Sequence, residues 1–458
     1  MALNFLSRLT PIGRAVVTAS IVASVFFLAK TFILPKKGIG TDTQLFSSLS
    51  DSDVLLTLSG SSTLGAKMLP QIAEQFMSRE LNATNVKIQS ISETEIKVVG
   101  EVDGSEKKIA LFTQGSLAGI NDIRSQKADL AMLSGGGDNL AADMSLTNIA
   151  LDGIAVICNK TNAIKALKKS QIRDVFLGKI TNWVDLGGEN ATINVHIRDP
   201  NQSGIFEGFK QMVAEPTANL PANVHLYSDT KQMLHGIETD PFAIGLSSSS
   251  NVGETSVLGL SDEGTAVLYP SPFTIQTEDY IFTRRLYLAH IATNNHPLIK
   301  QFLAFCEADD KGQKVIAELG FVNMNLHNAD THTTLGNAPP QYLAATNGAK
   351  RLPTTLHFKS GSSMPDERAT GDIRRIITLL AEPQNRQKQV VLIGFTDNVG
   401  NPTQNLSLSI KRAQSIQAEF AKFGLQSEIL GFGQALPVAT NTTALGQNKN
   451  RRVEAWMK

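Results

Sequence analysis

Two residues of opposite charge near the C-terminus have the chemistry to hold a zwitterion. Asp397 lies in the segment Gly394-Phe-Thr-Asp397-Asn-Val-Gly400, which has the pattern of a strand running into a turn, and Arg412 follows on a predicted helix. A carboxylate accepts hydrogen bonds from an ammonium group, and a guanidinium binds a carboxylate through two parallel hydrogen bonds. Asn405 adds an amide near the start of the helix. The residues alone leave a plainer interpretation open, in which Asp397 caps the helix and Arg412 is solvated.

Four turns rich in Ser, Thr and Gly in the central part of the chain have the chemistry to bind an oxyanion. They are Ser59-Gly-Ser-Ser-Thr63, Gln114-Gly-Ser116-Leu-Ala-Gly119, Met132-Leu-Ser134-Gly-Gly-Gly137 and His196-Ile-Arg198-Asp-Pro-Asn-Gln-Ser203-Gly204. Each turn alone is an ordinary helix cap or loop, but hydroxyls and backbone N–H groups before a helix also bind anions. Ligands of open α/β sheets bind at the carboxyl ends of strands. Together the turns indicate a site of neutral donors and one guanidinium.

Strands alternating with helices must position these residues. A strand at 54–58, a helix over 64–81 and a strand at 85–89 predict α/β layers around a largely parallel sheet. Near the C-terminus, apolar residues recur on one face of a helix predicted over 405–422. A stretch of Pro, Gly, Asn and Ala without periodicity predicts a linker. The predicted domains are an anchor and tether at 1–45, a two-lobed domain at 46–335, a linker at 336–350 and a second domain at 351–458.

The C-terminal motifs resemble the OmpA-like peptidoglycan-binding family. The match begins near Leu356 and includes the Thr-Asp turn, Asn405-Leu-Ser407, Arg412-Ala413, Gly431-Phe-Gly433 and Asn450-Arg-Arg-Val453. In that family the Asp of the Thr-Asp turn and the Arg of the Arg-Ala pair bind the diaminopimelate of a peptidoglycan stem peptide. The resemblance therefore implies that Asp397 and Arg412 bind the stem peptide, beside Thr396 and Asn405. One departure is Phe395, where the family often has His.

The four central turns resemble those of the periplasmic phosphate-binding protein family, which has the type 2 solute-binding fold. The landmarks run in order from about 53 to 325 and include Leu151-Asp-Gly-Ile-Ala-Val156 and Asn182-Trp-Val-Asp-Leu-Gly187. The ligand-binding residues that the resemblance implies are Thr63, Leu64, Ser116, Ser134, Arg198, Ser203 and Gly204.

Three departures weaken the expectation that phosphate itself is the ligand. Ile205 replaces the usual Thr of the Ser-Gly-Thr loop, and the spacing from Arg198 to Ser203 is one residue longer. Ser134 stands where transport-type proteins carry an Asp that accepts the phosphate proton. Losing one hydrogen-bond partner at a buried ligand costs about 1–3 kcal/mol.

The N-terminal region predicts a membrane anchor. An uncharged run of 15 residues, Ala15 to Ala29, is followed by Lys30 and then by Thr31-Phe-Ile-Leu34. If Lys30 snorkels, the run reaches the length of about 20 residues that spans a bilayer. A cleaved signal peptide has the same layout. The absence of a good cleavage site favours an uncleaved transmembrane helix, with the bulk of the chain in the periplasm.

Charge is distributed unevenly along the 458 residues, although 42 basic and 42 acidic residues give zero net charge. Residues 1–50 carry 5 basic and 1 acidic residue, 51–350 carry 23 and 33, and 351–458 carry 14 and 8. A polycation that clamps nucleic acid is therefore excluded. The two cysteines, Cys158 and Cys306, fit buried core thiols, while a disulfide stays open in an oxidising compartment.

These patterns predict an α/β chain with a two-lobed type 2 periplasmic binding fold, a smaller α/β OmpA-like domain and an N-terminal transmembrane helix. The function they favour is a binding protein of the bacterial cell envelope, anchored in the inner membrane, whose partners are a phosphate-like anion and peptidoglycan. The alternative is a structural tether whose central domain binds no small ligand and contacts a protein partner. No catalytic triad, paired carboxylates or metal-spaced His/Cys set is evident, so neither an enzyme nor a metal or other cofactor is expected.

Overall fold

The computed structural model describes residues 53–135, 143–200, 203–213, 217, 219–221, 224–308, 310–326 and 338–458. The predicted anchor and tether at 1–45 lie outside these residues. Within them, no helix is long and apolar enough to cross a membrane.

The described residues form 17 strands, numbered in chain order. They are β1 Val54–Gly60, β2 Thr84–Ser90, β3 Glu95–Val102, β4 Ser105–Phe112, β5 Leu130–Ser134, β6 Met144–Cys158, β7 Ala166–Lys168, β8 Asn194–Arg198, β9 Val224–Tyr227, β10 Ala243–Ser248, β11 Ser256–Val257, β12 Gly259–Ser261, β13 Thr283–Ile291, β14 Lys350–His357, β15 Val390–Gly394, β16 Ser427–Gly431 and β17 Arg452–Met457.

The α-helices lie between these strands. They span Ser62–Gly65, Met68–Glu80, Ser116–Arg124, Lys169–Phe176, Ile205–Met212, Thr230–Thr239, Pro272–Gln276, Pro297–Glu307, Gly312–Glu318, Pro340–Thr346, Glu367–Ala381, Pro402–Ala421 and Ala444–Asn450, and a 3₁₀-helix spans Trp183–Leu186.

One long sheet runs through both lobes of the central domain. Its strand order is β2-β3-β4-β1-β5-β13-β6-β10-β8-β9, with β11 also paired to β6. The sequence predicted a largely parallel sheet, and the pairs of β1 with β4 and β5 and of β8 with β9 and β10 are parallel. The prediction was wrong for the rest of the sheet. The strands β6 and β13 run antiparallel between the lobes and pair antiparallel with β10 and β5, and β2, β3 and β4 form an antiparallel edge.

Strands β6 and β13 connect two separate hydrophobic cores. Ile149 and Leu286 belong to the core of lobe 1, which β1–β5 and the helices 68–80 and 297–307 enclose. Further along β6, Ile154 and Val156 belong to the core of lobe 2, which includes Trp183. The two-lobed architecture that the sequence predicted is thus present, and β6 and β13 are the elements that join the lobes.

The C-terminal domain is a four-stranded sheet, β14-β17-β15-β16, covered by two long helices. The helix Pro402–Ala421 buries Ala413, Ile416 and Phe420, three members of the predicted apolar face. The close approach of β15 to this helix requires glycine, because a Cβ on Gly394 would collide with the carbonyl oxygen of Ser409.

The predicted linker contains a helix. Pro340–Thr346 is helical, and Tyr342 is 1% exposed. The Tyr342 hydroxyl donates to Glu454 Oε2 at 2.9 Å, while the ring packs edge-on against Trp456. The prediction that 336–350 is linker throughout was therefore wrong for this helix, because one aromatic side chain provides enough buried surface to dock it.

The two cysteines are free and buried, as the core interpretation predicted. Burial raises the pKa of Cys158 to about 11 and raises that of Cys306 further. Cys158 lies in the core of lobe 2 and Cys306 in that of lobe 1. The described positions contain no disulfide, and both thiols are protonated at neutral pH.

Candidate functional site

The hydroxyl-rich turns of lobe 1 come together at the ends of neighbouring strands. Ser134, the last residue of β5, donates its backbone N–H to the Ser116 hydroxyl at 3.2 Å. Ser116 begins the helix Ser116–Arg124. Gly60, which ends β1, has a φ of +141°, and a Cβ there would collide with the backbone of Met132 on β5. Glycine is therefore required where β1 enters the first turn.

Lobe 2 approaches these turns through Gly204. A Cβ on Gly204 would lie 3.8 Å from the Ser134 hydroxyl oxygen, so the lobes are in close proximity here. Gly204 precedes the helix Ile205–Met212, and Ser203 Oγ lies 3.5 Å from the Ile205 amide nitrogen. The structure therefore brings Ser116, Ser134 and Gly204, three of the predicted ligand-binding residues, to one junction.

A buried arginine that the sequence analysis did not select also faces this junction. Arg284 on β13 binds Asp152 on β6, with Nε and Nη2 donating to the same carboxylate oxygen at 3.0 and 2.7 Å. Its Nη2 also donates to Thr63 Oγ1 at 3.4 Å, which connects the predicted Thr63 to the site. Its Nη1 is buried and has no hydrogen-bond partner among the described residues. A Cβ on Gly208 would lie 3.7 Å from Nη1, so this nitrogen points toward the lobe 2 helix.

A sequence signal for Arg284 did exist. The segment Thr283-Arg284-Arg285 stands at the start of a mostly apolar stretch that forms β13. Asp152 is a charged residue within the mostly apolar stretch that forms β6. Charged residues in buried strands are rare unless paired. The two interruptions on separate strands therefore indicated an ion pair.

Two predicted ligand residues are placed differently from expectation. Arg198 donates Nη1 to Thr230 Oγ1 at 3.0 Å, within lobe 2. Burial lowers its pKa, and its buried Nε has no partner among the described residues. Leu64 is fully buried in the core of lobe 1, so only its backbone could contact a ligand. The apolar side chain accounts for this placement, because the first turn lies directly over the lobe 1 core.

In the C-terminal domain, Asp397 is paired with Arg451. Arg451 Nη1 donates to Asp397 Oδ2 at 2.9 Å, and the other carboxylate oxygen accepts the Val399 backbone N–H at 3.1 Å. Arg451 Nη2 also donates to Asn448 Oδ1 at 3.2 Å. Asp397 is 7% exposed. A ligand ammonium group would therefore compete with Arg451 for this carboxylate.

Arg412 is fully buried, rather than presented as an open fork. Its Nε, Nη1 and Nη2 donate to the backbone carbonyls of Ser362, Phe395 and Lys359 at 3.0, 2.9 and 3.4 Å. Burial lowers its pKa to about 10. A ligand carboxylate would have to replace carbonyl oxygens of the Lys359–Ser362 loop. In this conformation Arg412 supports the chain immediately before the Thr-Asp turn.

The two remaining predicted residues lie around the same turn. Asn405 Nδ2 lies 3.3 Å from the Asp397 carbonyl oxygen and 3.1 Å from that of Val399, and so holds the turn against the helix. Thr396 donates its N–H to the Gly433 carbonyl at 2.7 Å, and its buried hydroxyl has no partner among the described residues. The structure thus gathers Thr396, Asp397, Asn405 and Arg412 at one place.

The C-terminal domain docks on the central domain through buried charges. Arg351 binds Asp279 with two hydrogen bonds, of 2.6 and 3.3 Å. Lys449 Nζ donates to the backbone carbonyls of Glu278, Tyr280 and Ile281 at 3.0–3.3 Å. These carbonyls lie on the segment that leads into β13, so the second domain contacts the connection between the lobes.

Glu278 is the central acid of this interface. Its carboxylate lies 2.5 Å from Arg285 Nη2 and 3.9 Å from His357 Nε2 of the C-terminal domain. Although burial acts in the opposite direction, the cations Arg285, Arg368 and Lys449 hold the pKa of Glu278 well below its usual range. Its φ of +59° is unusual for a residue other than glycine and requires support from its surroundings. Arg285 also reaches Asp372 at 3.4 Å, which adds a second ion pair across the interface.

The described residues contain no group of three or more His, Cys, Asp or Glu side chains that could hold a metal ion. The fold is a two-lobed α/β domain built on one long sheet, with a smaller four-stranded α/β domain docked on it. Residues 40–310 match the family described as the PBP superfamily domain, and the chain belongs to this family. Residues 357–451 match the OmpA family, so the chain ends in an OmpA domain.

Similar curated proteins cover the two domains separately. The phosphate-binding protein PstS of Bacillus subtilis is 25% identical over 274 residues, which is 58% of this chain and 80% of PstS. The outer-membrane lipoprotein YfiB of Pseudomonas aeruginosa is 43% identical over 68 residues, which is 14% of this chain and 40% of YfiB.

Solved structures are similar to the same two regions. An ABC-type phosphate transport receptor from Vibrio cholerae covers 58% of this chain and 99% of its own, with 22% identity and a TM-score of 0.48. The peptidoglycan-associated lipoprotein from Burkholderia pseudomallei covers 23% of this chain and 89% of its own, with 22% identity and a TM-score of 0.21.

Proposed function

We propose that this chain is an envelope binding protein, and not an enzyme, that takes a phosphate-like oxyanion between its lobes. The observation that carries the proposal is Arg284, whose buried Nη1 lacks a partner among the described residues at the junction of Thr63, Ser134 and Gly204. A buried donor without a partner costs about 1–3 kcal/mol, and an anion would supply the acceptor. The relationship to phosphate-binding PstS supports the same ligand class.

The C-terminal domain, in the same proposal, binds the diaminopimelate of a peptidoglycan stem peptide. Asp397 receives the ammonium group in place of Arg451, and Arg412 receives the carboxylate when the Lys359–Ser362 loop moves aside. The N-terminal segment 15–34 anchors the chain in the inner membrane, and the domains lie in the periplasm. The OmpA domain and its similarity to an outer-membrane lipoprotein support an envelope location.

Titration calorimetry of the full chain with inorganic phosphate tests the central-domain proposal. We expect saturable heat with one site, and weaker binding when Arg284 is replaced by lysine, which keeps the charge but loses the forked guanidinium. Arg124→Lys is the matched control, because Arg124 is exposed in the last turn of the helix Ser116–Arg124. If neither phosphate nor sulfate produces heat or a thermal shift, the proposal is refuted. That result would favour a structural tether, in which the Arg351–Asp279 ion pair joins the two domains.

A further inference from the structure

A cavity of about 190 Å³ extends from the junction of the lobes to the C-terminal domain. Ser134 and Gly208 line it from the two lobes, and Arg284 lines it from β13. His357, Leu445 and Lys449 line it from the C-terminal domain. The cavity is therefore larger than the junction at which the oxyanion is proposed to bind, and the second domain forms one of its walls.

The end of the cavity near the lobes is suited to a phosphate group. Arg284 is 4% exposed, and its Nη1 has no partner among the described residues. Lys449 donates to three backbone carbonyls. Burial lowers the pKa of Lys449 to about 8 against the opposing effects of Glu278, Asp279 and Asp262, so the amine is still mostly protonated at neutral pH. All three lining arginines are paired, Arg284 with Asp152, Arg285 with Glu278 and Arg368 with Asp366. The unpartnered Nη1 of Arg284 is therefore the group that a phosphate oxygen would satisfy.

The opposite end is suited to a hydroxylated organic group. His357 is 2% exposed, and both of its ring nitrogens lack a hydrogen-bond partner among the described residues. Burial lowers its pKa to about 4, so the neutral ring offers one donor and one acceptor at neutral pH. Ile281 and Leu445 also line the cavity and add apolar surface to it. An inorganic phosphate at Arg284 would leave this end unfilled.

We propose that the cavity is a composite site for a hydroxylated phosphomonoester, with its phosphate toward Arg284 and a hydroxyl group at His357. The inference rests on the proposed oxyanion site and names its ligand class. The unpartnered groups at the two ends belong to different domains. The complete site therefore exists only when the C-terminal domain is docked.

Calorimetric titration of the full chain with three probes tests this assignment. The probes are inorganic phosphate, propyl phosphate and glycerol phosphate, which differ first by an organic chain and then by its hydroxyl groups. We expect glycerol phosphate to bind about tenfold more tightly than inorganic phosphate, and propyl phosphate to fall between them. His357→Phe should remove the preference for glycerol over propyl phosphate and leave inorganic phosphate binding within about twofold.

A second variant keeps the test decisive if His357→Phe does not fold. Leu445→Asp places a negative charge on the cavity wall at a side chain that is 43% exposed, so folding should be unaffected. It should weaken glycerol phosphate binding about tenfold through repulsion. Leu343→Asp is the matched control, since Leu343 is 46% exposed and does not line the cavity.

The outcomes separate this inference from the proposed function. If inorganic phosphate binds and glycerol phosphate binds no more tightly, the composite site is overturned while the oxyanion site stands. If Leu445→Asp and Leu343→Asp change glycerol phosphate binding equally, the composite site is overturned as well. If none of the three probes binds, both proposals are wrong.

Discussion

Replacing Arg284 with methionine is expected to lower the free energy of unfolding by about 3–5 kcal/mol. The substitution leaves the Asp152 carboxylate, whose side chain is 0% exposed, with a hydrogen bond from Ser248 Oγ at 2.6 Å and no guanidinium. An uncompensated buried charge is far more costly than the ion pair it replaces. Denaturant-induced unfolding, followed by fluorescence and circular dichroism, measures the difference.

A double variant separates the stability of Arg284 from its role in binding. Arg284→Met combined with Asp152→Leu replaces the buried ion pair with apolar side chains, which often costs little or even stabilises a protein. We expect most of the stability to return and phosphate binding to remain lost. A single variant that loses less than about 1 kcal/mol would contradict the buried-pair argument. A double variant that binds phosphate normally would show that Arg284 does not bind the anion.

Stability is also expected to fall as the pH is lowered from 6.5 to 4, because His357 is buried in its neutral form. Burial lowers the pKa of His357 from 6.5 to about 4, against the opposing effects of Glu278 and Asp366. Arg368 and Arg285 act in the same direction as burial. Between these two pH values the unfolded chain binds a proton that the folded chain does not. This difference removes about 3 kcal/mol of stability by the time pH 4 is reached.

Phenylalanine at position 357 should flatten this pH dependence, because the unfolded chain then has no proton to gain there. Some slope will remain, since burial also lowers the pKa of His196. His235→Phe is the matched control, because His235 is exposed. The free energy of unfolding of each variant is measured from pH 7 to pH 4.5, which stays above the ordinary pKa values of Asp and Glu side chains. An unchanged slope in His357→Phe would contradict the assignment.

Local patterns predicted the α/β class of both domains, while the resemblances to known families supplied the two-lobed architecture. The structure brings Ser116, Ser134 and Gly204 to one junction, and their role in binding a ligand stays a prediction. The predicted helix over 405–422 is present as Pro402–Ala421, and Ala413, Ile416 and Phe420 of its apolar face are buried. Leu406 and Phe423, which the prediction placed on the same face, are exposed. The helix itself rests on short-range periodicity, which tertiary contacts did not override.

Long-range pairing could not be predicted in the same way. Arg284 meets Asp152 across 132 positions, and Arg351 meets Asp279 across 72 positions. Residues that are so far apart in the sequence produce no periodic pattern from which their pairing could be predicted. Arg412 was expected to present an open fork, but three backbone carbonyls satisfy it, and only the folded Lys359–Ser362 loop supplies two of them. The helix in the predicted linker depends likewise on the docking of Tyr342 against Trp456.

We expect one chain to bind peptidoglycan and an oxyanion at separate sites. Sedimentation of purified diaminopimelate-type sacculi with the full chain and radiolabelled phosphate tests both in one measurement. We expect the chain to pellet and to carry label with it. Asp397→Asn should reduce the pelleted protein, whereas Glu428→Gln, at an exposed carboxylate, should not. The Arg284→Met, Asp152→Leu double variant should pellet normally without label. A chain that stays in the supernatant, or that pellets without label, would contradict the account.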